Sequence, residues 1–395
     1  MLEDRDAVII SAVRTPLGSF MGGLSETGAT DLGAMVIEEA IKRAGIARDN
    51  IQEVMMGQVL PLGYGQNPAR QAAMKAGIPM DAGCVTMNKV CGSGLMTIMM
   101  ASELIKSGYT DIAVAGGMEN MSLAPFYIPK ARKGTRMGNA EIKDHMVNDG
   151  LWDVVNDFHM GISNDLISVN WKVSREDQDR FAAESYARTM KSIETGRFRD
   201  EIMPVPMKDR KGNPFYFDTD ECPRHTSYED LAKMKPAFQK EGFATAGNSS
   251  IISDGASAVI IMSYAKAKEM GLKPLVKVVA SAAAGIELKY VLMAPINSIP
   301  KACKKAGIAI KDIGLHEINE AFSGSSTAVN RVLELDPAKV NVNGGGVALG
   351  HPIGASGSRV LTTLIYEMKR SGTALGQASL CLGGAEAVTM IVENV

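Results

Sequence analysis

Apolar residues recur along this chain in two registers. A helical spacing predicts helices over 31 to 44 and 357 to 370, and short apolar runs ending in glycine, DIAVAGG at 111 to 117 and ASLCLGG at 378 to 384, predict buried strands. Strands alternating with helices imply parallel or mixed sheets with helices packed on them. The segment NKVCGSGLMTIMMASELIKSG, residues 88 to 108, departs from ordinary amphipathic patterning. Its Gly-Ser-Gly turn opens a helix in which Leu95, Met96, Ile98, Met99, Met100, Ala101, Leu104 and Ile105 leave almost no polar face before Glu103 and Lys106. Such a helix is expected to be buried on all sides.

The pattern also repeats. AIKRAGIARDNI at 40 to 51 and ACKKAGIAIKDI at 302 to 313 share seven of twelve residues, too many for chance. Farther on, Ser93-Gly94 aligns with Ser356-Gly357, Ser107-Gly108 with Ser371-Gly372, and Gly116-Gly117 with Gly383-Gly384. The chain therefore reads as two related halves, residues 1–120 with about 249–272, and residues 273–395. Between them, 121–248 is richer in charge, proline and irregular sequence, and reads as an inserted loop domain.

Chemistry enters at Cys91, the residue before that Gly-Ser-Gly turn. A helix start leaves backbone N–H groups unpaired and carries about half a positive charge, which favours a thiolate. Gly92 and Gly94 let another backbone or a ligand approach the sulfur. The same residue type is equally a small buried hydrophobe, and only a depressed pKa makes such a thiol reactive. Aligning the halves at Gly94 and Gly357 sets Cys91 opposite Gly354 and places His351 in the turn before the second equivalent helix. Packed about a pseudo-twofold axis, the halves bring this cysteine toward this histidine. HEINEAF at 316 to 322, NVNGGGVALGHP at 341 to 352 and LCLGGAEA at 380 to 387 supply further turns after strands, where ligands sit in open α/β sheets. Cys91 with His351 as its base is the arrangement covalent acyl transfer needs.

Composition narrows the alternatives. With 395 residues, 46% of them hydrophobic, the chain can bury a large core. A formal charge of −2 argues against a nucleic-acid binder. Five cysteines without a CxxC pair, and five histidines without metal-ligand spacing to them, indicate neither a disulfide framework nor a metal site. A reduced cytoplasm fits these counts. The acidic start MLEDRDAVII is unlike a secretory signal, and no apolar run approaches the roughly 18 residues of a membrane span.

These residues resemble the thiolases, in particular their acetyl-CoA acetyltransferase branch. The resemblance runs from RTPLGSF near the start through NKVCGSG, GGMENMS, DGLWD, HMG, KPAF, TAGNSSIISDGA, HEINEAF and GGGVALGHPIGASG to LCLGG, and so covers essentially the whole chain. It implies a five-layered αβαβα fold of two duplicated halves plus a loop domain. The implied activity is a reversible Claisen condensation of two acetyl-CoA to acetoacetyl-CoA and CoA, by a ping-pong route through S-acetyl-Cys91.

By the same resemblance His351 takes the proton of Cys91, and Cys381 removes, or in thiolysis returns, the α-proton of the second acetyl-CoA. Asn319 holds a water that forms one oxyanion site with His351, and the N–H groups of Cys91 and Gly383 form the other. Fixed donors are needed because a thioester α-proton is only weakly acidic, and a thiol base of near-neutral pKa suits its removal. Arg224 lies against the adenine, while Leu151, His159, Met160, Phe238, Ala246, Ser250 and Phe322 line the pantetheine tunnel and acyl pocket. Coenzyme A thioesters are substrates, with no separate cofactor or metal, and a homo-oligomer, a dimer of dimers, is implied.

Plainer readings stand beside these. His351 can cap a helix, Cys381 can fill a strand, Asn319, Ser250 and Asp254-Gly255 suit turns, and Phe238 suits a core. Lys130, Arg132, Lys133 and Arg136 are equally a solvated face. Rival functions are a 3-ketoacyl-CoA thiolase of broader chain length and a non-catalytic acyl-CoA-binding scaffold. Two departures from the family pattern are visible. Ala385 and Glu386 follow Gly384 where a third glycine is usual, so alanine is strained if that position needs positive φ. ISNDL at 162 to 166 replaces a stretch expected to hold threonine, alanine and glutamate.

Overall fold

The computed structural model describes residues 2–134, 136–209 and 211–395. Nine strands form the path of its main sheet: β1 (Ala7–Arg14), β2 (Glu53–Gly57), β3 (Gly83–Met87), β4 (Ile112–Asn120), β5 (Ser253–Ser263), β6 (Val276–Gly285), β7 (Leu315–Ile318), β8 (Leu375–Leu382) and β9 (Glu386–Asn394). Their order is β7-β8-β9-β6-β1-β5-β4-β2-β3, with the short strand Gly18–Ser19 added to β5. The duplication is written into this order. β2 pairs parallel with β4, followed by antiparallel β5 and β1. β7 likewise pairs parallel with β8, followed by antiparallel β9 and β6. Among the described residues, the two halves of this sheet pair with each other where β1 meets β6, at Val8 opposite Lys277 and Ile9 opposite Val276.

Eight helices of eight residues or more lie among the described residues: α1 (Ala29–Ala44), α2 (Pro68–Lys75), α3 (Ser93–Ser107), α4 (Met160–Asn170), α5 (Arg175–Glu194), α6 (Pro295–Ala306), α7 (Ser323–Val332) and α8 (Ser356–Ser371). α1 and α2 pack on the outer face of the first sheet, and α6 and α7 on that of the second. α3 and α8 lie between the sheets, giving five layers, αβαβα. Repeated sequence gives repeated local structure. α1 and α6 end at Gly45 (φ 68°) and Gly307 (φ 70°), left-handed caps that glycine adopts without a side-chain clash, and each leads into a 3₁₀ turn, Arg48–Asn50 or Ile310–Asp312.

The central helices cross at their first turns. A Cβ on Gly357 would stand 2.3 Å from the Leu95 backbone nitrogen, and one on Gly94 2.9 Å from that of Ser358. Only glycine at both positions lets the two starts approach this closely. Most of α3 is buried, but Met100 is 39% exposed, so the expected all-round burial is incomplete. α8 and strands of both sheets cover α3, and one stripe lies outside those contacts. The segment 121–248 is more regular than its sequence suggests. It contains α4 and the 20-residue α5, which starts on a reciprocal cap between Ser174 and Asp177.

Candidate active site

Four turns deliver the candidate residues to one place. In the first, Asn88 and Ser93 shape the backbone around Cys91: Asn88 Oδ1 accepts from Val90 N (3.0 Å), Ser93 Oγ accepts from Lys89 N (2.8 Å), and Ser93 Oγ donates to the Val90 carbonyl (2.6 Å). Val90 is held at φ 46°, an uncommon conformation for a β-branched residue that persists only where its surroundings fix it. This strained turn presents Cys91 just ahead of α3.

The second turn carries His351, which is buried. Its Nδ1 lies 2.5 Å from Ser356 Oγ, and that hydroxyl donates its proton to the Pro352 carbonyl (2.9 Å). Ser356 therefore accepts from Nδ1–H, which leaves Nε2 as the basic nitrogen. Asn319, placed just beyond β7 by a bond from its N–H to the Ser379 carbonyl, sets Nδ2 3.3 Å from that Nε2. Asn319 Oδ1 is buried with no hydrogen-bond partner among the described residues. Cys381 closes β8 and is buried, and Gly383, Gly384 (φ 83°) and Ala385 (φ 62°) form the hairpin into β9. Alanine does occupy a left-handed position, so the strain foreseen for Ala385 is present.

Cys91, His351, Cys381 and Gly383 share a cavity of about 160 Å³ with Leu151, His159, Met160, Phe238, Ser250 and Phe322. His159 caps α4 through Nδ1 and stacks on Phe238 at 4.6 Å, and Phe238 meets Phe322 edge-on at 5.9 Å. The cavity lining excludes three expected residues: Asn319 stands behind it, in contact with His351, and Arg224 and Ala246 lie farther out. Arg224 is exposed with its guanidinium over the Tyr186 ring, and Ala246 is also exposed. Asp254-Gly255 is not a turn but part of β5. Lys130, Arg132, Lys133 and Arg136 are all exposed. In ISNDL, Asp165 accepts from the Phe243 and Ala244 N–H groups (both 2.9 Å), and Asn164 Oδ1 accepts from Ser325 N (3.0 Å). That stretch thus ties α4 to the loop carrying Phe238 and to α7.

The electrostatics correct one expectation. Burial pushes the Cys91 thiol up to about 12, against the N–H groups of Cys91 and Gly383, which favour the thiolate, and Glu119 adds to the rise. Desolvation outweighs the helix start. Burial, then the neighbouring Cys91, pushes Cys381 up further, so this thiol is not near neutral. Burial and then Arg359 push His351 down to about 3, leaving a neutral imidazole. The resting site is uncharged at all three groups.

Comparisons with known proteins now bear on this geometry. The description "Thiolase, N-terminal domain" matches residues 7–265, and "Thiolase, C-terminal domain" matches residues 272–394. The chain belongs to the thiolase family. It is 50% identical over 387 residues to an acetyl-CoA acetyltransferase of Pseudomonas aeruginosa, covering 98% of both chains. It is 49% identical over 393 residues to one of Syntrophomonas wolfei, covering 98% of this chain and 99% of that one. The crystal structure of the Bacillus anthracis acetyl-CoA acetyltransferase superposes with a TM-score of 0.96 at 39% identity, covering 99% of each chain.

Within this thiolase, sequence reasoning passed over Ser356, which fixes the His351 tautomer, and Met121 and Ile353, which line the cavity. Each lies inside or beside a motif already recognised, GHPIGASG or GGMENMS, but its role depends on which neighbour the fold brings to it. A larger cavity of about 450 Å³, lined in part by Phe181, Arg188, Glu320 and Arg331, lies away from the thiols. Its two arginines are already paired, with Glu184 and Asp177.

Proposed function

We propose that this chain is an acetyl-CoA C-acetyltransferase that condenses two acetyl-CoA reversibly to acetoacetyl-CoA and CoA. The observation that carries the reading is the convergence of Cys91, His351 and Cys381 on one cavity. Its apolar walls suit a short acyl group and the uncharged pantetheine arm.

In the first half-reaction the Cys91 proton moves to His351 Nε2 as the sulfur attacks the thioester carbonyl. The N–H groups of Cys91 and Gly383, which already point at the sulfur, meet the developing oxyanion. Collapse expels the coenzyme A sulfur, which takes the proton from His351. The second half-reaction repeats this use of the base. His351 takes the Cys381 proton, and the Cys381 thiolate removes the α-proton of a second acetyl-CoA. The enolate oxygen is held by the His351 imidazolium and by a water on Asn319. Attack on S-acetyl-Cys91 forms the new carbon–carbon bond and expels Cys91, which recovers its proton from His351. Both thiols are protonated at rest, so one neutral base serving each in turn keeps the proton count closed.

We read 121–248 as the loop domain carrying coenzyme A and oligomer contacts, with Arg224 and Ala246 engaging parts of coenzyme A beyond the cavity. A dimer of dimers is supported by the outward edge of β3 and by apolar side chains on the loop segment, such as Phe126, 65% exposed. No described helix is long and apolar enough to cross a membrane; we place the protein in the cytoplasm, without a cofactor. The test is a mass increase of one acetyl group on the Cys91 peptide after treatment with acetyl-CoA. An unlabelled Cys91 in protein that still releases CoA would end the assignment.

A further inference from the structure

One buried carboxylate has no part in the chemistry above. Glu119, near the end of β4, is fully buried. Its Oε2 accepts from Val59 N (3.0 Å) and Gly354 N (2.8 Å), and its Oε1 accepts from Leu60 N (3.2 Å). These donors belong to different halves of the chain. Val59 and Leu60 follow β2, whereas Gly354 lies in the turn between His351 and Ser356, the residue that fixes the imidazole. Gly354 has no room for a side chain, because a Cβ there would stand 2.6 Å from Glu119 Oε2 and 2.9 Å from the Gln58 Cα. Val59 and Leu60, two of these donors, and Ile353, the neighbour of the third, belong to one cluster with Met121 and Met146, against which Cys91 and Leu151 pack.

We propose that Glu119 is a positioning residue for acyl transfer, its carboxylate pinning the His351 turn of one half against the Cys91 side of the other. The inference rests on the acyl-transfer reading. A carboxylate that accepts three backbone N–H groups is a rigid, charge-assisted fixture, and a small misplacement of a general base costs orders of magnitude in rate. The titratable groups facing it are Asp254, Tyr64 and the Cys91 thiol. Burial raises the Glu119 carboxyl to about 7, so it is mostly ionised at pH 8. Its charge opposes the Cys91 thiolate while its hydrogen bonds hold the base in place. Removing the charge therefore has opposite effects on two reactions of one sulfur.

The experiment measures, at pH 8, the rate of Cys91 acetylation by acetyl-CoA and of its alkylation by iodoacetamide, in the parent chain, E119Q and E119D. For folded E119Q we expect acetylation slowed roughly 10–100-fold with KM for acetyl-CoA within about threefold of the parent, and alkylation faster than in the parent. E119D keeps the charge but is one methylene short; it should acetylate slowly with alkylation unchanged, and it decides the matter if E119Q does not fold. Acetylation of either folded variant at the parental rate overturns the proposal, as does a fall in both acetylation and alkylation for E119Q. A parent chain that gains no acetyl group overturns the acyl-transfer reading and this proposal with it.

Discussion

Cys91 and Gly354 occupy equivalent places in the two halves, each in a turn that leads into a central helix, yet only one carries a thiol. At Cys91 the turn is shaped from within its own half by Asn88 and Ser93, and the backbone strain sits at Val90. At Gly354 the place of a side chain is taken by a carboxylate from the other half, and the proposed base, His351, stands three residues earlier. The strand ends show the same divergence. Gly-Gly-x-Glu recurs at 116 to 119 and at 383 to 386, but Glu119 is buried on backbone N–H groups whereas Glu386 is partly exposed and pairs with Lys89. Duplication supplied one backbone twice, and the crossing of α3 and α8 brought its two copies together. The proposed nucleophile and its proposed base are side chains that differ between the copies.

The strongest break of this asymmetry is at the thiols. Cys91→Ala should lose acyl transfer by a factor on the order of 10⁴ or more, in line with removal of other nucleophiles. Cys381→Ala should still acquire an acetyl group on Cys91 while losing condensation; equal loss of both steps, read by peptide mass and by acetoacetyl-CoA formation, would contradict its separate role. Next comes Ser356→Ala. Without the acceptor for Nδ1–H the imidazole can turn or change tautomer, and acetylation should slow about 10–100-fold.

A third expectation uses pH. His351 stays unprotonated in the folded chain down to about 3, so a fall in Cys91 acetylation between pH 8 and 6 should follow Glu119, raised to about 7, and be absent in E119Q; a half-maximal rate near 6.5 that persists in E119Q would show the imidazole to be more exposed than it is here. Stability carries the same signature. Unfolded histidine binds a proton below about 6.5 and folded His351 does not, so this site's contribution is lost as pH falls. Between pH 6.5 and 5 the parent should lose about 2 kcal/mol more than His351→Asn, measured by denaturant unfolding. The smallest effect is at the hairpin. Ala385→Gly relieves a left-handed alanine but loosens the unfolded chain, for a net gain of about 0.5 kcal/mol, visible as a raised unfolding midpoint.

Much of this was legible in the chain. Helical and strand periodicity located α1, α8, β4 and β8 to within a few residues, because one buried face repeats at a fixed interval. α5 was hidden, because its interior is charged and its caps, Ser174 and Asp177, lie in a region read as irregular. The candidate site divided the same way. Cys91, His351, Cys381 and Gly383 lay in or beside turns with distinctive glycines, whereas the place of Arg224 against Tyr186, outside the cavity, follows from no local pattern.

The sequence by itself determined the duplication, the glycine caps and crossing points, and which residue types stood ready for chemistry. Those depend on local conformation and on side-chain identity, which the order of residues carries directly. Only the tertiary structure decided the charge state of the site and the partners of its buried groups. A thiol at a helix start is favoured as thiolate only while water can reach it freely, and packing two sheets around the crossing of α3 and α8 leaves Cys91 only partly exposed. The same packing brings Ser356 to His351 and Glu119 to Gly354, contacts that cross between layers and halves and have no trace in local spacing.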